Sequence, residues 1–352
     1  MSKYRPLRLK KIPVSFLLDI KALIIFSIFS LLTLIVIIVS IGMGEMSIHP
    51  LDVVRALVGK GEELHAVVIQ NFRLPRIIIG FLVGASLAVA GAIMQGVIRN
   101  PLASPDIIGI TAGAGAAVVT FLTFFLDPKD NSLTVSIHWL PLAAFIGATL
   151  IMLLIYGLAW NKGVTPVRLV LIGVGLDAAM HAVITVMMIF GPLILATQEK
   201  IWLTGSVYGS SWDNVRTLLP WFCFFLPFIF VIARNLNIQE LGDDLAKGVG
   251  TSVQRQRFIL LLMSTALAGG AVAFAGGIGF VGLMAPHMAR QLVGSAYGAL
   301  LPVSALIGGL IVLLADLVAR TAFSPLDVPA GVFTASIGAP YFIYLLYKNR
   351  NM

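Results

Sequence analysis

Two pairs of ionisable side chains lie inside long apolar stretches: Asp177 with His181, and Asp316 with Arg320. Members of each pair are four residues apart, which on a helix places them on one face, close enough to interact. A charge at the centre of a bilayer costs roughly 2.5–3.5 kcal/mol on insertion scales, so each pair needs a reason to be there. For Asp177 and His181 the chemistry on offer is a proton relay or the lining of a polar pathway. The competing reading is a locally satisfied pair that holds helices in register. Asp316 and Arg320 fall near a helix end, where arginine can snorkel to the interface. His287, beside Pro286, reads as a packing or capping residue. No GxxxxGK[ST] phosphate loop, HExxH pair or CxxC pair occurs in the sequence, so it offers no cradle for ATP and no metal site. No catalytic residue, cofactor or metal is expected. The single cysteine, Cys223, excludes an intrachain disulfide.

The elements that position these residues are membrane spans. Of the 352 residues 59% are hydrophobic and 11% charged, against roughly 25% charged in a soluble domain. Mean hydropathy is +0.98. Only a bilayer hides that much apolar surface. The predicted fold class is an all-α polytopic membrane protein. Ten apolar runs of suitable length are predicted, at 22–41, 77–98, 106–126, 138–160, 168–190, 217–235, 257–275, 278–293, 301–320 and 330–347. The eighth is short and rich in glycine. The net charge of +8 forms no stripe suited to nucleic acid, which is therefore not an expected partner. With ten spans and the N-terminus inside, 16 of the 24 Lys and Arg face the cytoplasm. The positive-inside rule then puts both termini there. The first apolar run follows the basic segment 1–21 and is too long for a signal-peptide core, so it reads as an uncleaved span. The whole chain, 1–352, reads as one transmembrane domain.

Several local patterns add detail. Gly80/Gly84 and Gly109/Gly113 have the spacing that lets helices approach closely, most simply inside one bundle. Arg73-Leu-Pro-Arg76 precedes the second span and points two arginines at the outer water. Arg99-Asn100-Pro101-Leu-Ala-Ser104-Pro-Asp106 breaks the chain after it, with Ser104 or Asp106 available to cap the next helix. Segment 236–256 is the longest cytoplasmic connection. It carries Leu241, Leu245 and Val249 at helical spacing beside Glu240, Asp243, Asp244 and Lys247, a short amphipathic helix with no evident partner within the chain.

Taken together, Arg73-Leu-Pro-Arg76, Val83-Gly-Ala85, Gly91, Gln95-Gly96, Arg99-Asn-Pro-Leu-Ala-x-Pro-Asp106 and Gly109 resemble the iron–siderophore permease family of ABC importers, which includes the cobalamin importer permease. Trp202-Leu-Thr-Gly205-Ser206, Glu240 to Gly250, Gly277 to Arg290, Leu301-Pro302, Ala315-Asp316, Arg320 and Pro329-x-Gly331 follow in the family's order. Where the family often has Glu-Leu-Pro, this chain has Leu326-Asp327-Val328-Pro329, and no role is carried onto Asp327. The resemblance implies a permease subunit with ten helices, working with two copies of a cytoplasmic ABC ATPase, a second permease that is identical or paralogous, and an extracytoplasmic siderophore-binding protein. It implies docking of that binding protein at Arg73, Arg76 and Arg320. It also implies ATPase coupling through Glu240, Leu241, Asp244, Leu245, Lys247, Gly248 and Gly250. Gln95, Asn100, Pro101, Asp106, Asp177, His181, Pro286, His287 and Arg290 are expected to line the pathway or pack helices. The expected location is the bacterial cell membrane. Cobalamin or haem is an alternative cargo, and a proton-coupled secondary transporter an alternative class.

Overall fold

The computed structural model describes residues 4–8, 15–125, 134–190, 201–225, 227–324 and 326–348. Lys3, Lys10, Lys11, Lys129, Lys200 and Arg350, which entered the charge count, lie outside them. A short antiparallel pair, β1 (Tyr4–Arg8) and β2 (Ser15–Asp19), opens the chain. Everything after it is helical: α1 (Ile20–Gly42), α2 (Pro50–Leu57), α3 (Glu63–Val67), α4 (Leu74–Ile98), α5 (Ile110–Phe125), α6 (Leu140–Ala159) and α7 (Pro166–Phe190). These are followed by α8 (Trp212–Phe225), α9 (Phe228–Glu240), α10 (Asp243–Gly248), α11 (Val253–Ala275), α12 (Val281–Val293), α13 (Tyr297–Ala322) and α14 (Ala330–Lys348).

Every predicted span has a helical counterpart, with three corrections. The third, α5, has 16 described residues, ~24 Å, and is itself short of a full crossing. The sixth is two helices, α8 and α9, because Pro227 cannot donate to the helical ladder and stands at the start of α9. The eighth, α12, has 13 residues and reaches only ~20 Å, short of the ~30 Å hydrocarbon core. Among the described residues seven helical stretches are long and apolar enough to cross a membrane. The segment between the first two predicted spans is also structured. It folds into α2 and α3, and α3 runs through a wide π-type turn (Val68–Arg73) into α4. Pro75 follows that turn and has no N–H for an ordinary helical bond, which the wider winding accommodates.

Helix α4 is the axis of the bundle. It packs on α13, α11 and α12 and is buried along nearly its whole length, whereas α1 and α7 are largely exposed. Lipid is as apolar as leucine, so burial alone does not drive these helices together; close backbone packing does. A Cβ built on Gly84 would lie 2.2 Å from the Gly308 carbonyl oxygen, and one on Gly91 1.8 Å from that of Gly282. Gly84 thus packs within the bundle, as its spacing suggested. Gly109 packs as well, an added Cβ falling 3.0 Å from the Asp177 backbone of α7, but it does so from a turn with φ +84° that precedes α5 rather than from a helix shared with Gly113.

Residues 201–207, the Trp-Leu-Thr-Gly-Ser stretch, form a junction. Gly277 donates to the Trp202 carbonyl, Ser206 to that of Ala275, and Gly331 to that of Gly205. The end of α11, the approach to α12 and the start of α14 are thereby tied together.

Candidate functional site

Polar residues gather at the two ends of α4, which are ~37 Å apart for 25 residues. At its N-terminal end lie Arg73, Arg76 and Arg320, brought together by the start of α4 and the end of α13 against the end of α1. They line an open cavity of about 390 Å³ with Glu45, Phe72, Tyr208 and Asp327.

The three arginines are not equivalent. Arg73 does not point into the outer water. It is 6% exposed and donates to the carbonyls of Ile41, at 2.6 Å, and Met46. Arg320 does not snorkel either: it donates to the carbonyls of Ser40 (2.5 Å) and Met43 (2.8 Å), with its Nε 3.5 Å from Asp316. Both guanidinium groups cap the C-terminal turn of α1, where carbonyls lack helical partners and the helix dipole favours cations. Arg76 instead meets carboxylates. Its Nε donates to Asp316 at 2.9 Å, and Nη1 and Nη2 donate to the two oxygens of Asp327 at 2.6 and 2.8 Å. The Tyr208 ring lies 5.5 Å from the guanidinium.

At the C-terminal end the chain leaves α4 through Arg99, in the left-handed conformation. Arg99 donates to the Gln239 carbonyl at 2.8 Å and to the Asp243 carboxylate. Arg257, fully buried at the start of α11, reaches the same carboxylate at 3.0 Å. Burial works to raise the Asp243 pKa, but Arg257 and Arg99 outweigh it and hold the carboxyl below the usual range. Arg290, at the end of α12, pairs with Glu240 at 3.1 Å and donates to the Tyr297 hydroxyl. The short helix α10 is thus fixed on its Asp243 side, and Ala246 is buried. Its other side is open: Leu245 on the helix, and Leu241 and Val249 beyond its two ends, are each at least 60% exposed. The expected single amphipathic helix is broken at Gly242, whose φ of +108° leaves Leu241 at the end of α9. Asp244 and Lys247 form an exposed pair at 3.6 Å, and Gly248 and Gly250 close the turn.

The remaining residues spread between these ends. Gln95 is buried, 3.4 Å from the Leu283 carbonyl. Asn100 turns the chain by accepting the Leu102 N–H at 2.9 Å, with Pro101 exposed beside it. Asp106 does not cap α5 with its carboxylate; it accepts the N–H of Phe280 at the head of α12, at 3.3 Å. His287 packs against Tyr341 and contacts Gln291, and Pro286 is buried inside α12. Asp177 and His181 are 3.9 Å apart on α7, with the His181 side chain 64% exposed. Cys223 is exposed on α8.

Sequence reasoning missed three residues here. In sequence nothing separates Asp243 from its neighbour Asp244, Arg257 is one more cation at the start of an apolar run, and Asp327 departs from the family pattern. Their partners are up to 251 positions away, so no local spacing signals them.

Residues 32–348 match the FecCD transport family. The chain belongs to that family. It is 56% identical over 331 residues to the probable siderophore transport system permease protein YfhA of Bacillus subtilis (strain 168), covering 94% of this chain and 96% of that protein. It is 47% identical to the achromobactin transport system permease protein CbrC of Dickeya dadantii (strain 3937), covering 91% and 90%. A solved structure of a metal-chelate type ABC transporter in an inward-facing conformation superposes with a TM-score of 0.81 at 30% identity, over 92% of this chain and 99% of that one. The protein is a multi-pass membrane permease of an ABC transporter.

Proposed function

We propose that this FecCD-family chain forms one half of the translocation pathway of an ABC importer for iron–siderophore complexes in the bacterial cytoplasmic membrane. One observation carries the reading: the correspondence with permeases of iron-chelate systems runs through the whole helical bundle, from residue 32 to 348. ATP is hydrolysed by a separate subunit, present in two copies, and a second permease completes the pathway. Leu245 on the helix anchored through Asp243, flanked by exposed Leu241 and Val249, has the form of a surface that a soluble ATPase would grip. His181 stands exposed on α7 with Asp177 half-buried beside it, a place where charge is better tolerated against a water-filled pathway or a second permease than against lipid.

The outer cavity supports docking of an extracytoplasmic binding protein. Guanidinium groups take carboxylates bidentately, and charged rims steer encounter. Within the cavity Arg76 is the arginine suited to an incoming carboxylate, because Arg73 and Arg320 are committed to the end of α1. The cargo is tested by reconstituting the permease with its ATPase and binding protein in proteoliposomes. Uptake is then measured with radio-iron presented as hydroxamate, catecholate, citrate and haem complexes, and with cobalamin. Uptake of a ferric siderophore over haem and cobalamin is expected; preference for cobalamin or haem would move the chain to another cargo.

A further inference from the structure

A guanidinium has two edges that accept a carboxylate side-on: the Nε–Nη edge and the Nη–Nη edge. In Arg76 both are taken. Asp316 holds the first, with Nε at 2.9 Å and Nη2 at 2.7 Å, and Asp327 holds the second. A carboxylate arriving from outside therefore finds no free edge on the one arginine not committed to α1.

The two occupants differ in how firmly they are placed. Asp316 is on α13, 3% exposed, and also faces Arg320. Removing it would leave two buried cations short of a counter-charge. Asp327 lies outside any helix, between α13 and α14, and its side chain is a quarter exposed. It lines the open cavity together with Arg76, whereas Asp316 is not among the lining residues.

We infer that Asp327 is an internal occupant of the position a docking carboxylate takes, so that a binding protein seats on this permease by exchanging one of its own carboxylates for that of Asp327. This deepens the docking reading above and rests on it. The exchange keeps the number of carboxylates on the Arg76 guanidinium unchanged, since one replaces another, and the displaced Asp327 carboxylate, already a quarter exposed, turns to water. Tyr208 stacks over Arg76 throughout and keeps a hydrophobic surface against the guanidinium while the carboxylates trade places. Asp327 thereby raises the threshold for docking. A diffuse acidic surface cannot match its aligned pair of hydrogen bonds, whereas a well-placed carboxylate with further contacts around it can.

The experiment titrates the extracytoplasmic binding protein onto the permease–ATPase complex in nanodiscs, at low and moderate salt. The permeases compared are wild type, Asp327→Asn, Arg76→Gln and the double variant. Expected are weaker binding for Arg76→Gln, tighter binding by roughly threefold to tenfold for Asp327→Asn, and no gain from Asp327→Asn in the Arg76→Gln background. Asp327→Ser replaces Asp327→Asn if the latter does not assemble with the ATPase. If Asp327→Asn binds equally or more weakly while Arg76→Gln weakens binding, the exchange is overturned and docking on Arg76 survives. If Arg76→Gln binds like wild type, the docking reading itself falls, and the exchange with it.

Discussion

Gly91 and Gly282 meet backbone to backbone, so closely that a Cβ on Gly91 would sit 1.8 Å from the Gly282 carbonyl oxygen. This contact seats the half-length helix α12 against the central helix α4. Backbone cannot move aside as a flexible side chain can, so overpacking here is costly. Gly91→Ala is expected to destabilise the bundle by at least about 2 kcal/mol, read as a lower melting temperature in detergent. Gly157→Ala, with nothing within 4 Å of its added Cβ, should leave the melt unchanged. Equal melts for the two variants would show that the α4–α12 contact is looser than described.

Asp243 is the only carboxylate that bridges Arg99 and Arg257 among the described residues. Asp243→Asn should loosen α10 from α4 and α11 and reduce stimulation of the ATPase several-fold, with membrane insertion unaffected. Because its folded pKa is depressed, the stabilisation it gives is present above the unfolded value and lost only as pH falls through the lower folded one. That window lies below the ordinary aspartate range of about 3.9. Coupling should therefore not titrate through Asp243 between about pH 6 and 8. A loss of coupling in that range that disappears in Asp243→Asn would contradict the assignment.

Leu245 is the exposed apolar side chain of α10. Replacing it with Asp puts a charge where an ATPase groove is expected, while removing little packing inside the permease. Uptake should fall at least about tenfold, on the scale of a well-packed interface anchor, with normal insertion and folding. Normal uptake together with normal ATPase stimulation would count against α10 as the coupling element.

Arg73 and Arg76 differ in what their loss leaves behind. Arg73→Gln strands the carbonyls of Ile41 and Met46, so it should cost stability by about 1–3 kcal/mol. Proteolysis or cysteine labelling should then find the end of α1 more accessible. A variant with unchanged stability would mean that the end of α1 does not depend on that cap.

Much of the bundle was legible in the sequence, because length and hydropathy alone identify a membrane span. The errors have local causes. Run 217–235 holds two prolines, and sequence alone does not tell that Pro220 is carried inside α8 while Pro227 marks the break between α8 and α9. The glycines at 109 and 113 have the right spacing, but one lies outside the helix in a left-handed turn. Arg73 and Arg76 look alike in sequence; they part company because the carbonyl end of α1, more than 30 residues earlier, lies against one and not the other. The six-residue helix α10 and its exposed Leu245 could be read from spacing, but the break at Gly242, which leaves Leu241 outside it, could not. The Asp243 anchor could not, since Arg99 is 144 positions away. Nor could the pairing of Arg76 with Asp327, across 251 positions.

The central claim is that this chain supplies a pathway and not the energy. It is tested most directly by loading proteoliposomes with the permease, its ATPase and an ATP-regenerating system, then adding the binding protein charged with a radio-iron siderophore. Accumulation should require ATP and the ATPase subunit, persist when the proton gradient is collapsed, and be absent with the permease alone. Accumulation by the permease alone, driven by an imposed pH gradient without ATP, would contradict the account and make the chain a secondary transporter.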